Sequence, residues 1–135
     1  MIKARQRQNL VAEIEKHFAL DEHVREAFLT VDRESFVPSQ FKHLAYQLDA
    51  LPLAASQWIS SPLTVAKMTQ HLELEGVDSV LEVGCGSGYQ AAILSKMCRR
   101  VFTIERIDEL LKEAKSRFSA LEMHNIITRF DDGQR

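Results

Sequence analysis

The stretch from Ser79 to Tyr89 constrains the fold more than any other part of this chain. It begins with an apolar run, Val80 to Val83, that predicts a buried strand. Glycines then occupy every second position, and a helical pattern begins directly after them: Gly84, Gly86 and Gly88. Glycines let the backbone turn sharply and let a ligand approach main-chain atoms, while the amides at a helix N-terminus face that ligand. The stretch therefore predicts the nucleotide pocket of an α/β fold.

Helices and strands are predicted to alternate from residue 61 onwards. Ser61 and Pro62 mark a helix start, since serine caps well and proline suits the first helical position. We expect this helix to end at Gly76 and strands to follow over 79–83, 101–105 and 126–130, with helices between them. Such alternation predicts parallel strands joined by right-handed crossovers. The expected fold is a doubly wound, Rossmann-like sheet with helices on both faces.

The region before residue 61 has a different character. Apolar spacing predicts one helix over 6–18 and a second after Asp21, whereas 40–53 has mixed polarity and is expected to be irregular. We therefore divide the chain into an N-terminal helical segment, 1–60, and a cofactor-binding half-domain, 61–135. The sequence stops soon after the third predicted strand, which leaves one edge of the central strand uncovered. From this we expect a fragment that encodes the first half of the sheet.

The composition and charge indicate which classes of partner and which cellular compartment to expect. The chain is 45% hydrophobic and 27% charged, as in globular proteins, and its net charge of −2 gives no reason to expect nucleic acid or an anionic membrane. No apolar run is long enough to span a bilayer. Two cysteines are too few for a disulfide framework and suit the reducing cytoplasm, where we place the protein. The histidines lack metal-ligand spacing, so no metal is expected.

Two carboxylates flank the glycines. Glu105 ends the next predicted strand, near the ~20-residue offset at which an acid binds both ribose hydroxyls. Glu82 precedes the first glycine by two residues and suits a cationic ligand. The alternatives are a solvated strand end for Glu105 and an ion pair for Glu82, but the glycines between them favour the cofactor roles.

Two cofactors fit such a loop. Dinucleotide sites usually have Gly-x-Gly-x-x-Gly, because a pyrophosphate sits on the helix N-terminus. Here the third glycine comes one residue early. S-adenosylmethionine has an ammonium, a sulfonium and no phosphate, so a carboxylate such as Glu82 favours it. The spacing therefore favours S-adenosylmethionine over a dinucleotide.

Two further positions have competing interpretations. Asp132, with Gly133, follows the third predicted strand at the edge where ligands bind, and it could accept a hydrogen bond from an adenine amino group. An ordinary Asp-Gly turn explains this pair equally well. Cys85 lies within the glycine loop, but no histidine is near it in sequence, so packing explains it better than nucleophilic catalysis.

Several motifs along the chain resemble those of one enzyme family, the protein-L-isoaspartate O-methyltransferases of bacterial type. They are Arg33-x-x-Phe36-Val37-Pro38, Ala45-Tyr46 through Asp49 to Pro52-Leu53, Gln57-Trp58-Ile59-Ser60-Ser61-Pro62, Leu81 to Gln90 and Asp132-Gly133. The glycine motif is shared by many methyltransferases, whereas Ile-Ser-x-Pro is specific to this family. The chain departs from the family pattern at Trp58, where threonine is usual, and at Asp131, which replaces a glycine.

The resemblance implies methyl transfer from S-adenosylmethionine to the free carboxylate of L-isoaspartyl and D-aspartyl residues in damaged proteins, which initiates their repair. Ser60 matches the family's active-site serine. The positions that match its cofactor pocket are Glu82, Gly84, Gly86, Ser87, Gly88, Glu105, Asp132 and Gly133. The implied partners are peptides and proteins that contain isoaspartyl residues.

The implied reaction requires little of the side chains. An isoaspartyl carboxylate, with a pKa near ~3.9, is already ionised at neutral pH, so no general base is needed. Ser60 would then position that carboxylate and would not act as a nucleophile. Two alternatives stay open: a non-catalytic fragment or binding module, and a nicotinamide-dependent oxidoreductase, which shares the fold but not the glycine spacing.

Overall fold

A pair of helices begins the computed structural model, which describes residues 2–131. Helix α1 covers Ile2–Glu15 and α2 covers Glu22–Thr30, and the two pack against each other. Helix α1 ends earlier than predicted because the chain turns after Glu15 to bring α2 back across it. Asp21 precedes α2 as predicted, although its side chain makes no capping hydrogen bond.

The segment between α2 and residue 61 is more regular than predicted. It contains 3₁₀ helices over Arg33–Phe36 and Ser39–Leu44, then a short antiparallel pair, β1 (Leu51–Pro52) with β2 (Trp58–Ile59). The β1–β2 pair buries Ile59 and leaves its two neighbours in the chain exposed. This alternation matters because it presents Trp58 and Ser60 towards the same side.

Helix α3 spans Pro62–Leu72 and confirms the predicted start. Ser61 Oγ accepts a hydrogen bond from the Thr64 N–H at 3.1 Å, and Pro62 occupies the first turn. The predicted end at Gly76 is wrong. Glu73 adopts a left-handed conformation with φ +50° and ends the helix.

The predicted alternation produces a parallel three-stranded sheet in the order β3-β4-β5. The strands cover Ser79–Val83, Arg100–Glu105 and Ile126–Phe130, within one residue of the predicted bounds. Helix α4 (Tyr89–Ser95) connects β3 to β4, and α5 (Asp108–Ala120) connects β4 to β5. This is the Rossmann-like arrangement that the sequence predicted, although within residues 2–131 α4 and α5 cover one face of the sheet and leave the other exposed.

The two faces of the sheet differ in burial. Helices α4 and α5 both contact β4 and β5 and bury Val101 and Thr103. On the opposite face Leu81 is 59% and Val83 is 63% exposed. The predicted buried strand is therefore wrong for these two side chains, because within residues 2–131 nothing covers their face.

One hydrophobic core joins the N-terminal helices to the sheet. It contains Ile14, Phe28 and Phe36 together with Tyr89 and Val101, and the rings of Phe28 and Phe36 lie 6.2 and 5.8 Å from that of Tyr89. Both predicted segments thus contribute to this core, and a boundary at residue 60 stays a prediction. Within the described range, every helix is too short or too polar to cross a membrane.

Candidate functional site

The glycine loop after β3 has the backbone geometry that its sequence requires. Gly84, Gly86 and Gly88 have φ values of +88°, +56° and +96°. The N–H groups of Gly84 and Cys85 donate to the Ile104 carbonyl at 2.8 and 3.2 Å, which fixes the loop against β4. A side chain at any of these glycines would be strained, so the loop depends on all three.

The three glycines have different surroundings. A Cβ at Gly84 or Gly86 would meet nothing within 4 Å. A Cβ at Gly88 would lie 2.7 Å from Phe118 Cζ and 3.5 Å from the Ala114 Cβ. Gly84 and Gly86 therefore leave room for a ligand, whereas Gly88 lets α4 pack closely on α5.

Glu105 lies beneath the loop and is only 5% exposed. Its Oε1 accepts a hydrogen bond from the Gly86 N–H at 2.9 Å, and its Oε2 accepts one from the Ile107 N–H at 3.0 Å. A carboxylate oxygen has two acceptor positions, so both oxygens keep capacity for a further donor. The residue predicted to bind ribose thus also fixes the loop.

Several cavities border this loop, and two of them are lined by both Gly84 and Gly86. The larger of these two, about 250 Å³, is also lined by Glu105 and Trp58. The smaller, about 100 Å³, adds Ser60 and Glu82. The full linings also include Gln57, Val83, Ile104, Arg106, Ile107, Leu110 and Asp131 for the first, and Ile59, Val65, Cys85, Ser87, Tyr89 and Gln90 for the second.

The cavities bring together residues that are far apart in sequence. Ser60 is exposed and shares the smaller cavity with Glu82 and the loop, as the predicted site requires. Ser87 is buried, and its Oγ accepts a hydrogen bond from the Tyr89 N–H at 3.2 Å. Its hydroxyl thus supports the start of α4. Asp132 and Gly133 lie outside the described residues.

Glu82 has an unusual electrostatic environment. Its Oε1 accepts a hydrogen bond from Thr103 Oγ1 at 2.6 Å. The pKa of Glu82 is raised to about 7: burial is the largest cause, the Thr103 hydrogen bond opposes it, and the charge of Glu105 adds to it. The carboxyl group is therefore close to half ionised at neutral pH.

The raised pKa of Glu82 predicts how stability depends on pH. Between pH 4.5 and about 7 the folded protein retains a proton that the unfolded chain releases, so the stability from this group falls as pH rises. Glu82→Gln should remove this dependence. Urea unfolding of both proteins at pH 5.5 and 8 tests this. Parallel pH dependence in the two proteins would contradict it.

Sequence reasoning missed several residues that support the site. Thr103 orients Glu82, and Arg117 Nη1 donates to the Ser87 carbonyl at 3.0 Å. Neither residue belongs to a recognisable motif, although Thr103 stands out as a polar residue within an apolar strand. The packing interpretation of Cys85 is supported, because burial raises the pKa of its thiol to about 12 and so disfavours the reactive thiolate.

Protein families and individual relatives that match this sequence show which family it resembles. The model of the protein-L-isoaspartate(D-aspartate) O-methyltransferase family matches residues 5–135. A Helicobacter pylori (strain P12) protein named protein-L-isoaspartate O-methyltransferase is 58% identical over 123 residues, which are 91% of this chain and 59% of that protein. The chain thus spans about three fifths of that relative's length.

Solved structures give the same picture of the fold. A protein-L-isoaspartate O-methyltransferase structure superposes with a TM-score of 0.81 at 27% identity, over 94% of this chain and 42% of that one. A Plasmodium falciparum protein solved in complex with S-adenosyl-L-homocysteine superposes with a TM-score of 0.77 at 19% identity, over 91% of this chain and 62% of that one. At that identity the second likeness supports the fold alone.

Proposed function

We propose, from the premise that this chain belongs to the protein-L-isoaspartate(D-aspartate) O-methyltransferase family, that it transfers a methyl group from S-adenosylmethionine to protein carboxylates. The acceptors would be isoaspartyl and D-aspartyl residues of damaged proteins in the cytoplasm. One observation carries the proposal: the family's serine, Ser60, shares a cavity with the glycine loop and with Glu82. A methyl donor in the loop and an acceptor at Ser60 would then be neighbours.

The residues of the larger cavity fit S-adenosylmethionine. Open space beside Gly84 and Gly86 admits a ligand against the backbone. Glu105 keeps acceptor positions for ribose hydroxyls, and ionised Glu82 would attract a cationic group. When bound, the cofactor supplies an activated methyl group on its sulfonium. Asp132 and Gly133 remain proposed contacts from the sequence.

The acceptor side requires positioning more than acid–base chemistry. The substrate carboxylate is ionised at neutral pH and is itself the nucleophile. Ser60, exposed at the end of β2, would donate a hydrogen bond that holds one carboxylate oxygen. The other oxygen must approach the methyl carbon in line, at a separation of about 3–3.5 Å. Ser60 and the loop would fix this geometry.

Trp58 borders both cavities and is 65% exposed. It stands beside Ser60 and across from the loop, so a bound cofactor or peptide would contact the indole. Trp58 is the sole tryptophan of this sequence, and a ligand-induced change in tryptophan emission that is lost in Trp58→Phe measures binding at this site. We use this property to measure cofactor affinity in the experiments that follow.

Methyl transfer tests the proposed function. The protein as its host cell makes it should transfer radiolabelled methyl groups to an isoaspartyl peptide and form a base-labile ester. The same peptide with ordinary aspartate is the matched substrate control. Ser60→Ala should lower turnover about tenfold or more, because a charge-assisted hydrogen bond is lost. Its cofactor affinity should stay within about twofold of the original.

Other outcomes would contradict the proposal. Equal labelling of both peptides, or label in nucleic acid alone, would exclude an isoaspartyl carboxyl methyltransferase. Cofactor binding without transfer to any peptide would favour a binding module. Quenching of Trp58 by a nicotinamide dinucleotide, but not by S-adenosylmethionine, would favour an oxidoreductase. If Ser60→Ala failed to fold, a structural role in the chain leading into α3 would replace the proposed one.

A further inference from the structure

Arg33 is a buried cation close to the candidate site. It begins the first 3₁₀ helix, is 0% exposed, and is the largest side chain among the fully buried residues. Its Nη2 donates a hydrogen bond to the Ser60 carbonyl at 3.1 Å. Its Nε and Nη1 are buried and have no hydrogen-bond partner within residues 2–131. A guanidinium thus contacts the backbone of the proposed acceptor residue.

The other side of the guanidinium faces the start of α4. Arg33 Cζ lies 4.7 Å from the centroid of the Tyr89 ring. Tyr89 directly follows the glycine loop, lines the smaller cavity, and is held in place by Phe28 and Phe36. Arg33 therefore bridges two parts of the site: the Ser60 segment and the helix that begins at the loop.

Stability alone explains this arginine poorly. Burial lowers the pKa of Arg33, and within the described range no carboxylate forms an ion pair with it. Burying a charge with one hydrogen bond and a ring contact is unfavourable, and an apolar residue of similar volume often stabilises such a position. What an apolar residue cannot provide is a directed bond to the Ser60 carbonyl. The burial of Arg33 is therefore better explained by the geometry that it gives to the Ser60 segment.

We propose that Arg33 is a positioning residue: it fixes the Ser60 backbone against α4, and thereby sets the distance between the substrate carboxylate and the methyl donor. This inference rests on the proposed function for its effect on turnover. The hydrogen bond from Nη2 anchors the Ser60 carbonyl, and the Tyr89 ring packs against the guanidinium. Small displacements of reacting groups lower rates strongly, so loosening Ser60 should affect turnover more than cofactor binding.

Three variants test the proposal in the protein as its host cell makes it. Arg33→Met removes the hydrogen bond and the charge, and we expect turnover per folded molecule to fall about tenfold or more. Arg33→Lys keeps a donor and the charge and should be intermediate. Arg7→Met is the matched control, because it removes another arginine whose side chain donates to a backbone carbonyl, that of Leu29, away from both cavities. This control should leave turnover unchanged.

The readouts separate positioning from folding. Cofactor affinity, measured from Trp58 fluorescence, should stay within about twofold in all three variants. Unchanged turnover per folded molecule in Arg33→Met would overturn the proposal. If Arg33→Met does not fold, Arg33→Lys decides: lowered turnover at unchanged cofactor affinity supports positioning, and full turnover overturns it.

Hydrogen exchange separates this inference from the proposed function. Amide exchange over residues 57–61 should accelerate in Arg33→Lys or Arg33→Met, and not in Arg7→Met. If the parent protein shows no methyl transfer, the proposed function alone is overturned. Hydrogen exchange would still test whether Arg33 holds the Ser60 segment. Unchanged exchange in both Arg33 variants would overturn the claim that Arg33 holds the Ser60 segment.

Discussion

Gly88→Ala should destabilise the protein by about 2–5 kcal/mol, the largest effect expected of any single methyl group in this chain. Two penalties add at this position. The φ of +96° is strained for any residue with a Cβ, and the new methyl would lie 2.7 Å from the ring of Phe118. Phe118 is itself buried against Phe36, so its ring has little room to move. Urea unfolding measures the loss.

Gly86→Ala is the matched control, because it adds the same methyl to the same loop. Its φ of +56° lies in the left-handed region, and a Cβ would meet nothing within 4 Å. The stability loss should therefore be about 1 kcal/mol. The methyl would instead enter the space that both cavities share, so cofactor affinity should fall about tenfold or more. Equal stability losses in Gly86→Ala and Gly88→Ala would contradict these different roles.

A double variant tests the cause of the Gly88 effect. Phe118→Leu removes the end of the ring that the new methyl would strike. On its own it should destabilise the core by about 1 kcal/mol. In the Gly88→Ala background it should recover about 1–2 kcal/mol, which a double-mutant cycle would report as coupling. Additive losses would assign the whole effect to backbone strain.

The contrast between these glycines shows how far sequence reasoning extends. The spacing Gly84-x-Gly86-x-Gly88 predicts a tight loop between a strand and a helix, and the structure confirms it. The role of each glycine depends on what packs beside it. The ring of Phe118 comes from α5, thirty residues further along the chain. Local sequence determines where the loop turns, and tertiary packing determines which of its glycines has no space for a side chain.

Errors in the predicted elements have the same origin. The strands could be predicted because apolar runs bounded by turns are local signals. The end of α3 at Glu73 could not, because a left-handed non-glycine residue is held by its surroundings. Leu81 and Val83 look like core residues in sequence, yet within residues 2–131 they are 59% and 63% exposed. Arg33 contacts Ser60 only through the fold.

Glu105 shows the same limit within the site, because its position in the sequence does not reveal its contacts with the backbone. Its place at the end of β4 predicts a ribose acceptor, and that role stays a prediction. The structure adds two hydrogen bonds from backbone N–H groups, those of Gly86 and Ile107. These bonds depend on the close approach of the glycine loop to β4, which spacing alone does not reveal.

Glu105→Ala should therefore destabilise the protein before any ligand is added. Removing the carboxylate leaves the N–H groups of Gly86 and Ile107 without their acceptor in a poorly exposed position. Each unsatisfied buried donor of this kind lowers the free energy of unfolding by about 1–3 kcal/mol, so we expect a total loss of stability of about 2–4 kcal/mol. Urea unfolding of the cofactor-free protein measures it. If the Glu105 carboxylate served only to bind ribose, Glu105→Ala would leave the free energy of unfolding of the cofactor-free protein unchanged.

Glu105→Gln separates the support of the loop from the charge. Its amide keeps one oxygen for one backbone donor and turns an NH₂ group towards the other, so the stability loss should be about half that of Glu105→Ala. Cofactor affinity measured by Trp58 fluorescence should fall in both variants, because the loop that borders the cavity loses its support. A variant that binds cofactor weakly but unfolds at the original urea concentration would leave ribose binding as the sole role of Glu105. Full affinity in a destabilised variant would instead leave support of the glycine loop as its sole role.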